Sequence, residues 1–171
     1  MDFMELAKKR FSVRKYTDQQ VEQSKLDVLL EAARLAPTGC NYQPQRIYVL
    51  QSEAAIAKIS SLCKCVFGAK TVLMFTYNKD EDWKNPLEAG PHAGVQDVSI
   101  VATHVMFAGE ELGLGSCWVN YFPKSEVEKA FEIPSNEELV LLLPIGYPDP
   151  KAAPGPMHAQ SKDVASFTKY L

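Results

Sequence analysis

The sequence predicts a single domain that combines helices and β-strands around one buried helix. A chain of 171 residues is of single-domain size and buries about 70% of the surface that its unfolded form exposes. Residues 98–109 carry no charge, and their apolar side chains recur at three- and four-residue spacings on more than one helical face. Residues 71–77 and 138–145 are largely apolar runs typical of strands. We expect one domain over residues 1–171, without an internal linker.

The buried helix is predicted to end at a glycine turn and to lead into a binding wall. Gly113-Leu114-Gly115 supplies the left-handed conformation that terminates helices. The backbone of residues 116–120 then follows beside the Trp118 ring, and we expect its N–H and C=O groups to be exposed to a planar cofactor. The alternative is a capped core helix that leads into a buried edge strand. The apolar run is shorter than the roughly 20 residues that span a bilayer.

The other elements follow from hydrophobic periodicity and from proline positions. The irregular residues 78–91 form a candidate lid that contains Trp83. The tail from Asp149 is rich in proline, but residues 162–171 have helical spacing, so we expect an arm that ends in a helix and packs on another subunit. Four further helices are predicted over residues 2–9, 21–36, 53–62 and 124–131, and a third strand over residues 46–51.

Composition excludes several classes of partner. The formal net charge of −3 provides no basic field for nucleic acid or anionic lipid. The N-terminal 16 residues lack the apolar core of a signal peptide. The four cysteines lack both Cys-x-x-Cys spacing and the density of a secreted scaffold. We therefore expect a cytoplasmic protein with reduced thiols and no contact with membranes.

Familiar catalytic and metal-binding motifs are absent from the sequence. It contains no Ser-His-Asp signature, no P-loop and no Gly-x-Gly-x-x-Gly after a strand. His92 and His104 are 12 positions apart and His158 lies in the tail, so the histidines do not form a compact metal-binding pair. We expect no metal and no obligatory catalytic side chain.

Two segments have the composition of ligand-binding loops. Arg10 and Arg14 flank Ser12, and two guanidinium groups in an extended or turning backbone could converge on a phosphate. The alternative is a solvated basic turn. Pro37 ends the second helix and begins a stiff polar loop that suits hydrogen bonding to the plane of a heterocycle, although an ordinary polar loop has the same composition. The polar residues of this loop are Thr38, Asn41 and Gln43.

The order of these motifs resembles the nitroreductase family of flavoproteins. The resemblance covers residues 2–148 and rests on five separated motifs. They are Arg10-x-Ser12-Val13-Arg14, Ala36-Pro37-Thr38-x-x-Asn41-x-Gln43-Pro44, Asp82-Trp83, Gly113-Leu114-Gly115-Ser116-Cys117-Trp118 and Leu143-Pro144-Ile145-Gly146-Tyr147-Pro148.

The resemblance implies an α+β fold with a central, mostly antiparallel sheet flanked by helices and a C-terminal arm exchanged in a homodimer. It also implies FMN at the subunit interface. Arg10, Ser12 and Arg14 would then hold the phosphate and ribityl chain and reach the pyrimidine edge of the ring. The partner subunit would contribute a loop, and backbone groups after the central helix would line the ring. The loop residues are Pro37, Thr38, Asn41 and Gln43, and the lining residues are Trp118, Val119 and Asn120.

The implied activity is ping-pong transfer of a hydride from NADH or NADPH, through flavin N5, to a small-molecule electron acceptor such as a nitroaromatic or a quinone. Because the cofactor carries the chemistry, a flavin-binding sensor or carrier without turnover remains an alternative, as does a cofactor-free interaction module. The sequence departs from the family pattern twice. The C-terminal basic residue that reaches the phosphate is unclear, with Lys162 as the candidate and His158 behind it, and Asn120 stands about where a glycine is common.

Overall fold

The fold is a four-stranded antiparallel sheet with helices on both faces. A computed structural model describes residues 2–171. The strands lie in the order β1-β2-β4-β3, so the predicted α+β class with an antiparallel sheet is confirmed. The helices are α1 (Phe3–Lys9), α2 (Gln23–Leu35), α3 (Glu53–Leu62), α4 (Gly94–Glu111) and α5 (Lys124–Ala130), and the strands are β1 (Gln45–Leu50), β2 (Thr71–Asn78), β3 (Gly115–Ser116) and β4 (Glu137–Gly146).

Strand β2 is the centre of the sheet because it pairs with β1 on one side and β4 on the other. Residues 71–77 are all buried, as a strand covered on both faces requires. The short strand β3 pairs with the end of β4, joining Gly115 to Gly146 and Ser116 to Ile145. The three strands predicted from the sequence are present within one residue at either end, and β3 is the edge strand that the alternative interpretation allowed.

Alternation along the strands divides the core into two layers. Phe75 of β2 faces a cluster that contains α2 and α4, whereas Met74 faces one that contains α3 and α5. The first layer includes Leu29 of α2 and Val101 of α4, both with no exposed surface. At about 25 cal/mol per Å² of buried apolar surface, these layers are the main stabilising contribution to the fold. None of the helices over residues 2–171 is long and apolar enough to cross a membrane.

Helix α4 is not buried all round within one chain, which corrects the sequence prediction. Val98, Val101 and Val105 face the sheet and have no exposed surface. Val95 is 43% exposed and Ile100 is 38% exposed because no other element of the chain packs on that face. Helix α4 therefore has one apolar face covered by the sheet and an open outer face on which Val95 and Ile100 lie among polar residues. The exposed polar residues of this face are Gln96, Thr103 and His104.

The C-terminal tail forms less helix than predicted. Residues 162–171 contain only one 3₁₀ turn, Val164–Ser166, and the apolar side chains on it are more than 60% exposed. A short helix without a packed face does not persist, so helical spacing alone was insufficient here. The exposed apolar residues of the tail are Met157, Val164, Phe167, Tyr170 and Leu171.

Candidate cofactor site

The segment after α1 lies against β3 and forms the first half of the site. A capping box between Asp2 and Glu5 fixes the start of α1, and the helix ends at Arg10. The chain then runs extended, and the Val13 N–H donates to the Ser116 carbonyl at 2.9 Å. A Cβ at Gly115 would lie 2.4 Å from Cγ2 of Val13, so only glycine permits this approach. The two predicted motifs, far apart in sequence, are adjacent in space.

A cavity of about 430 Å³ lies elsewhere. The cavity beside the basic segment has a volume of about 340 Å³, and of the two predicted arginines Arg14 lines it and Arg10 does not. Arg14 and Ser12 form one side of it, and residues 155–158 of the tail form the other. The His158 ring packs edge-on against Phe11 with 6.3 Å between centroids. The C-terminal basic residue at this cavity is therefore His158. Lys162 lies in the exposed part of the tail and does not line this cavity, so its contact with the phosphate stays a prediction.

The strand-like segment after β3 offers fewer free backbone groups than predicted. The Val119 N–H donates to the Leu142 carbonyl and the Val119 carbonyl accepts from the Leu142 N–H, both at 3.0 Å. The Cys117 N–H donates to the Pro144 carbonyl at 3.1 Å. The prediction of an exposed backbone wall is therefore wrong for Cys117 and Val119, because these residues extend the pairing of the sheet edge. Strand geometry turns the backbone groups of Trp118, between them, to the opposite edge.

The Asn120 side chain lies along the protein surface. Its Oδ1 accepts a hydrogen bond from the Trp118 indole N–H, and its Nδ2 donates to the Val140 carbonyl at 3.0 Å. Asn120 therefore fixes the Trp118 ring. Both ends of the Asn120 side-chain amide are therefore used in these two hydrogen bonds.

The loop after α2 has a strained backbone. Cys40, Asn41 and Gln43 have φ values of 48°, 58° and 51°, a region that non-glycine residues rarely occupy, and such strain clusters at functional sites. The Thr38 hydroxyl accepts from the Gln43 N–H at 3.0 Å, which closes the loop. The predicted residues Thr38, Asn41 and Gln43 are therefore brought together, with Pro37 at the entrance.

The lid packs directly on this loop. Asp82 is 6% exposed, and its Oδ2 lies 2.8 Å from Nδ1 of His92, which joins the lid to the residue that follows it. The Trp83 carbonyl accepts from the Ala93 N–H at 2.9 Å. A Cβ on Gly39 would lie 3.0 Å from the Trp83 Cβ, so the lid and the loop are in close contact.

Within one chain, the two halves of the site lie at opposite ends of α4. The loop is bonded near the start of α4, where the Gly39 N–H donates to Asp97 at 2.8 Å. The Arg10–Arg14 segment is attached near the end of α4, where Lys9 pairs with Glu110 at 3.2 Å. At 1.5 Å per residue, positions 97 and 110 are roughly 20 Å apart along the helix. One chain does not bring all the predicted residues together.

The thiol beside the basic segment is shielded. Burial raises the pKa of Cys117, while the positive charges of Arg14 and Arg10 and a hydrogen bond from Ser12 act in the opposite direction. The effect of burial is the largest of these, so the net pKa of Cys117 is raised. The raised pKa disfavours the thiolate, which is the reactive form.

Comparison with known proteins identifies the chain. The sequence model of the Nitroreductase family matches residues 7–67 and 63–147. The chain belongs to the nitroreductase family. The match spans both halves of the site and the whole sheet, which confirms the resemblance inferred from the five motifs.

Solved structures of this family share the fold over nearly the full chain. A nitroreductase family protein from Clostridium difficile is 37% identical and superposes with a TM-score of 0.92, covering 99% of this chain and 98% of its own. An FMN-dependent nitroreductase from the same species is 27% identical with a TM-score of 0.73, covering 86% and 88%. Among relatives compared by sequence, the FMN reductase [NAD(P)H] of Bacillus subtilis is 28% identical over 85% of this chain and 65% of its own length.

Two features of the site were not identified from the sequence. The first is Asp97, a buried carboxylate bonded to the loop; its signal was a single acidic residue in the first turn of an otherwise apolar helix. The second is that residues 155–158 of the tail lie against the basic segment. The prolines and the glycine of the tail indicate an irregular backbone, but they do not indicate where it packs. Residues 2–171 contain no cluster of three potential metal ligands.

Proposed function

We propose that this member of the nitroreductase family is a cytoplasmic, homodimeric, FMN-dependent oxidoreductase. It uses NADH or NADPH to reduce nitroaromatics, quinones or similar electrophiles by a ping-pong mechanism. The names of two relatives, an FMN-dependent nitroreductase and an FMN reductase [NAD(P)H], support the cofactor and the electron donor. The acceptor class rests on the family alone.

The residues beside β3 fit a phosphorylated cofactor. The chain has a net charge of −3, so an anion requires local cations, and Arg14 and His158 both line the 340 Å³ cavity with Ser12. Forked guanidinium donors match phosphate oxygens. Arg10, Ser12 and Arg14 would therefore hold the phosphate and ribityl chain, with His158 in the role that the sequence suggested for Lys162.

The remaining contacts would come from a second copy of the chain. The polar loop and the basic segment lie at opposite ends of α4, and the outer face of α4 is open at Val95 and Ile100. A two-fold arrangement buries the same patch on both copies. It would bring Thr38, Asn41 and Gln43 of the second copy to the ring whose other wall is Trp118. The exposed tail residues would add the exchanged arm.

The side chains of the protein supply binding, orientation and electrostatics. When bound, FMN supplies the redox chemistry by accepting a hydride from NAD(P)H at N5 and passing it to the second substrate. The guanidinium group of Arg14 would stabilise the negative charge that develops near N1 and O2 of the ring. The Trp118 ring, fixed by Asn120, would form a rigid wall. No acid or base from the chain is required.

The observation that carries this proposal is the pairing of Val13 with Ser116. It places two arginines beside the segment that leads to Trp118, and it does so in a chain of this family. This contact joins backbone atoms, and the glycine at position 115 permits the close approach. The position of the Arg10–Arg14 backbone beside β3 therefore does not depend on the orientation of either arginine side chain.

The test is a spectroscopic titration of the purified protein. We expect a yellow protein with one FMN per chain, bleached by NADH or NADPH under anaerobic conditions and restored by a quinone or a nitroaromatic. Bound flavin that no nicotinamide bleaches would instead indicate a flavin carrier or sensor. A protein that binds no FMN after incubation with excess cofactor would contradict the proposal.

A further inference from the structure

Two buried carboxylates have incomplete hydrogen bonding, Asp97 in the first turn of α4 and Asp82 in the lid. Asp97 is 2% exposed and Asp82 is 6% exposed, and Oδ2 of Asp97 and Oδ1 of Asp82 have no hydrogen-bond partner. Buried carboxylates are costly unless they are bonded. A buried carboxylate of this kind destabilises the fold, so we expect it to have another role. The groups bonded to its second oxygen indicate that role.

Each carboxylate uses its other oxygen to hold a segment of the candidate site. Oδ1 of Asp97 accepts from the Gly39 N–H at 2.8 Å, which anchors the strained loop 38–43 to α4. Oδ2 of Asp82 lies 2.8 Å from His92, which joins the lid to the residue that follows it. Lys84 Nζ is 3.7 Å from the other oxygen of Asp82, beyond hydrogen-bond distance.

The surrounding packing leaves the loop and lid little freedom to move separately. Gly39 lies against Trp83 and Ala93, since a Cβ there would be 3.0 and 3.3 Å from their Cβ atoms. Gly94 lies on the Tyr77 ring, where a Cβ would be 2.3 Å from the ring carbons. Close-packed groups transmit displacements instead of absorbing them.

We propose that Asp97 is a positioning residue that sets the loop and the lid together, so that retention of flavin and the packing of the lid on the loop depend on the Asp97–Gly39 hydrogen bond. This inference rests on the proposed function, because loop 38–43 is assigned there to the flavin. It adds that the lid serves the same site as the loop beside it. Asp97 acts through Gly39 and touches no reacting atom.

Two substitutions at one position separate hydrogen bonding from burial and charge. Asp97→Asn keeps an oxygen that can accept from the Gly39 N–H, whereas Asp97→Ala removes it. Loss of a charge-assisted hydrogen bond is expected to weaken FMN binding by about tenfold or more in Asp97→Ala, with Asp97→Asn within about threefold of wild type. Equal flavin affinity in both variants and wild type would overturn the inference while leaving the proposed function intact.

A second readout uses the apoprotein and does not depend on flavin. The chain has two tryptophans, so a Trp118→Phe background leaves Trp83 as the only one. Acrylamide quenching of Trp83 should increase in Asp97→Ala and stay at the parent level in Asp97→Asn. Unchanged quenching in Asp97→Ala would show that the lid is independent of Asp97 and would contradict the coupling.

A third variant covers the case in which Asp97→Ala does not fold. Gly39→Ala retains Asp97 but places a methyl group 3.0 Å from the Trp83 Cβ, so it should displace the lid and weaken FMN binding in the same direction. If Gly39→Ala binds FMN as wild type does, and acrylamide quenches its Trp83 to the same extent, the contact between loop and lid does not couple them. Wild-type protein that binds no FMN would count against the proposed function, while the quenching comparison would still decide the role of Asp97.

Discussion

At the residue scale, the site depends on a few charged groups whose surroundings the structure defines. Arg14 lines the tail cavity, and its charge, with that of Arg10, acts on the Cys117 thiol. Asp97 is surrounded by Gly39, Asp82 and the packed lid.

Removing the arginines should release flavin. Arg10→Ala or Arg14→Ala removes charge-assisted hydrogen bonds to the phosphate, and we expect FMN affinity to fall about ten- to a hundredfold. Arg34→Ala is the matched control, because Arg34 pairs only with Glu31 on the exposed face of α2 at 2.6 Å. Equilibrium dialysis measures the change. Full flavin retention in both site variants would refute the phosphate assignment.

The cysteines beside the site should not take part in turnover. Burial raises the pKa of Cys117, and Cys40 is exposed on the loop without a disulfide partner among residues 2–171. We expect Cys40→Ser and Cys117→Ala, singly and together, to reduce flavin with NAD(P)H within a few-fold of the parent rate. Stopped-flow absorbance checks this; a hundredfold decrease with FMN still bound would mean that a thiol participates.

Asp97 should give stability a distinctive dependence on pH. Burial raises the pKa of Asp97, the Gly39 N–H lowers it, and the charge of Asp82 raises it further, with a net increase. The folded state therefore holds this proton more tightly than the unfolded state, where the pKa is about 3.9. The stabilising contribution of Asp97 is thus present at low pH and lost as pH rises through the folded-state pKa.

Asp97→Asn removes this ionisation. The difference in unfolding free energy between Asp97→Asn and wild type should increase in favour of the variant as pH rises from about 4, and then become constant. Urea denaturation across this range measures it. A difference that is independent of pH would mean that the environment of Asp97 does not disfavour its charge.

At the element scale, the tail has two parts with different roles. Residues 155–158 line the cavity with Arg14, whereas Val164, Phe167 and Tyr170 are exposed and available to a partner. The sequence predicted an arm that ends in a helix, but helical spacing could not reveal that the middle of the tail returns to its own basic segment. That return depends on contacts between residues nearly 150 positions apart.

Two truncations should separate these parts. Ending the chain after His158 should weaken the dimer while leaving the cavity lining intact, and ending it after Asp149 should in addition lower FMN affinity by about tenfold, through loss of His158 and its neighbours. Analytical ultracentrifugation and flavin titration give the two readouts. A chain ending at Asp149 that remains dimeric and fully yellow would contradict both roles.

At the scale of the whole molecule, helix α4 connects the two half-sites and also carries the open apolar face. Its inner side chains pack against the sheet, whereas Ile100 and Val95 remain exposed. In the proposed homodimer, this outer face of the longest helix would be the interaction surface, and dimerisation would complete both flavin sites at once.

A charge on this face should therefore remove both dimer and cofactor. Ile100→Asp is expected to weaken dimerisation by at least about tenfold and to lower flavin occupancy in parallel. Val49→Asp on β1 is the matched control, since Val49 is 37% exposed and Ile100 is 38% exposed. Sedimentation velocity and absorbance report the result. A monomer that keeps its FMN would show that one chain is sufficient for the site.

The sequence by itself determined the class of fold, the five main helices, three of the four strands and the family. Local periodicity specifies these features. In α2 the residues Leu26, Leu29 and Ala33, at helical spacing, are buried on one face. The motifs also placed Arg10, Ser12 and Arg14 and the polar loop among the candidate residues. Their order along the chain was sufficient for the resemblance that the family match confirmed.

Only the tertiary structure decided which candidate groups are free and which lie near one another. Val119 was expected to offer its backbone, but pairing with Leu142 uses those groups. Lys162 was the first candidate for the phosphate and His158 the second, and of these two the structure places His158 at the cavity with Arg14. Asp97 carried no motif, and its importance comes from a contact with Gly39, 58 positions away. Such contacts join segments that are far apart in the sequence, and they depend on how the helices and the sheet pack together. The spacing of neighbouring residues does not encode them.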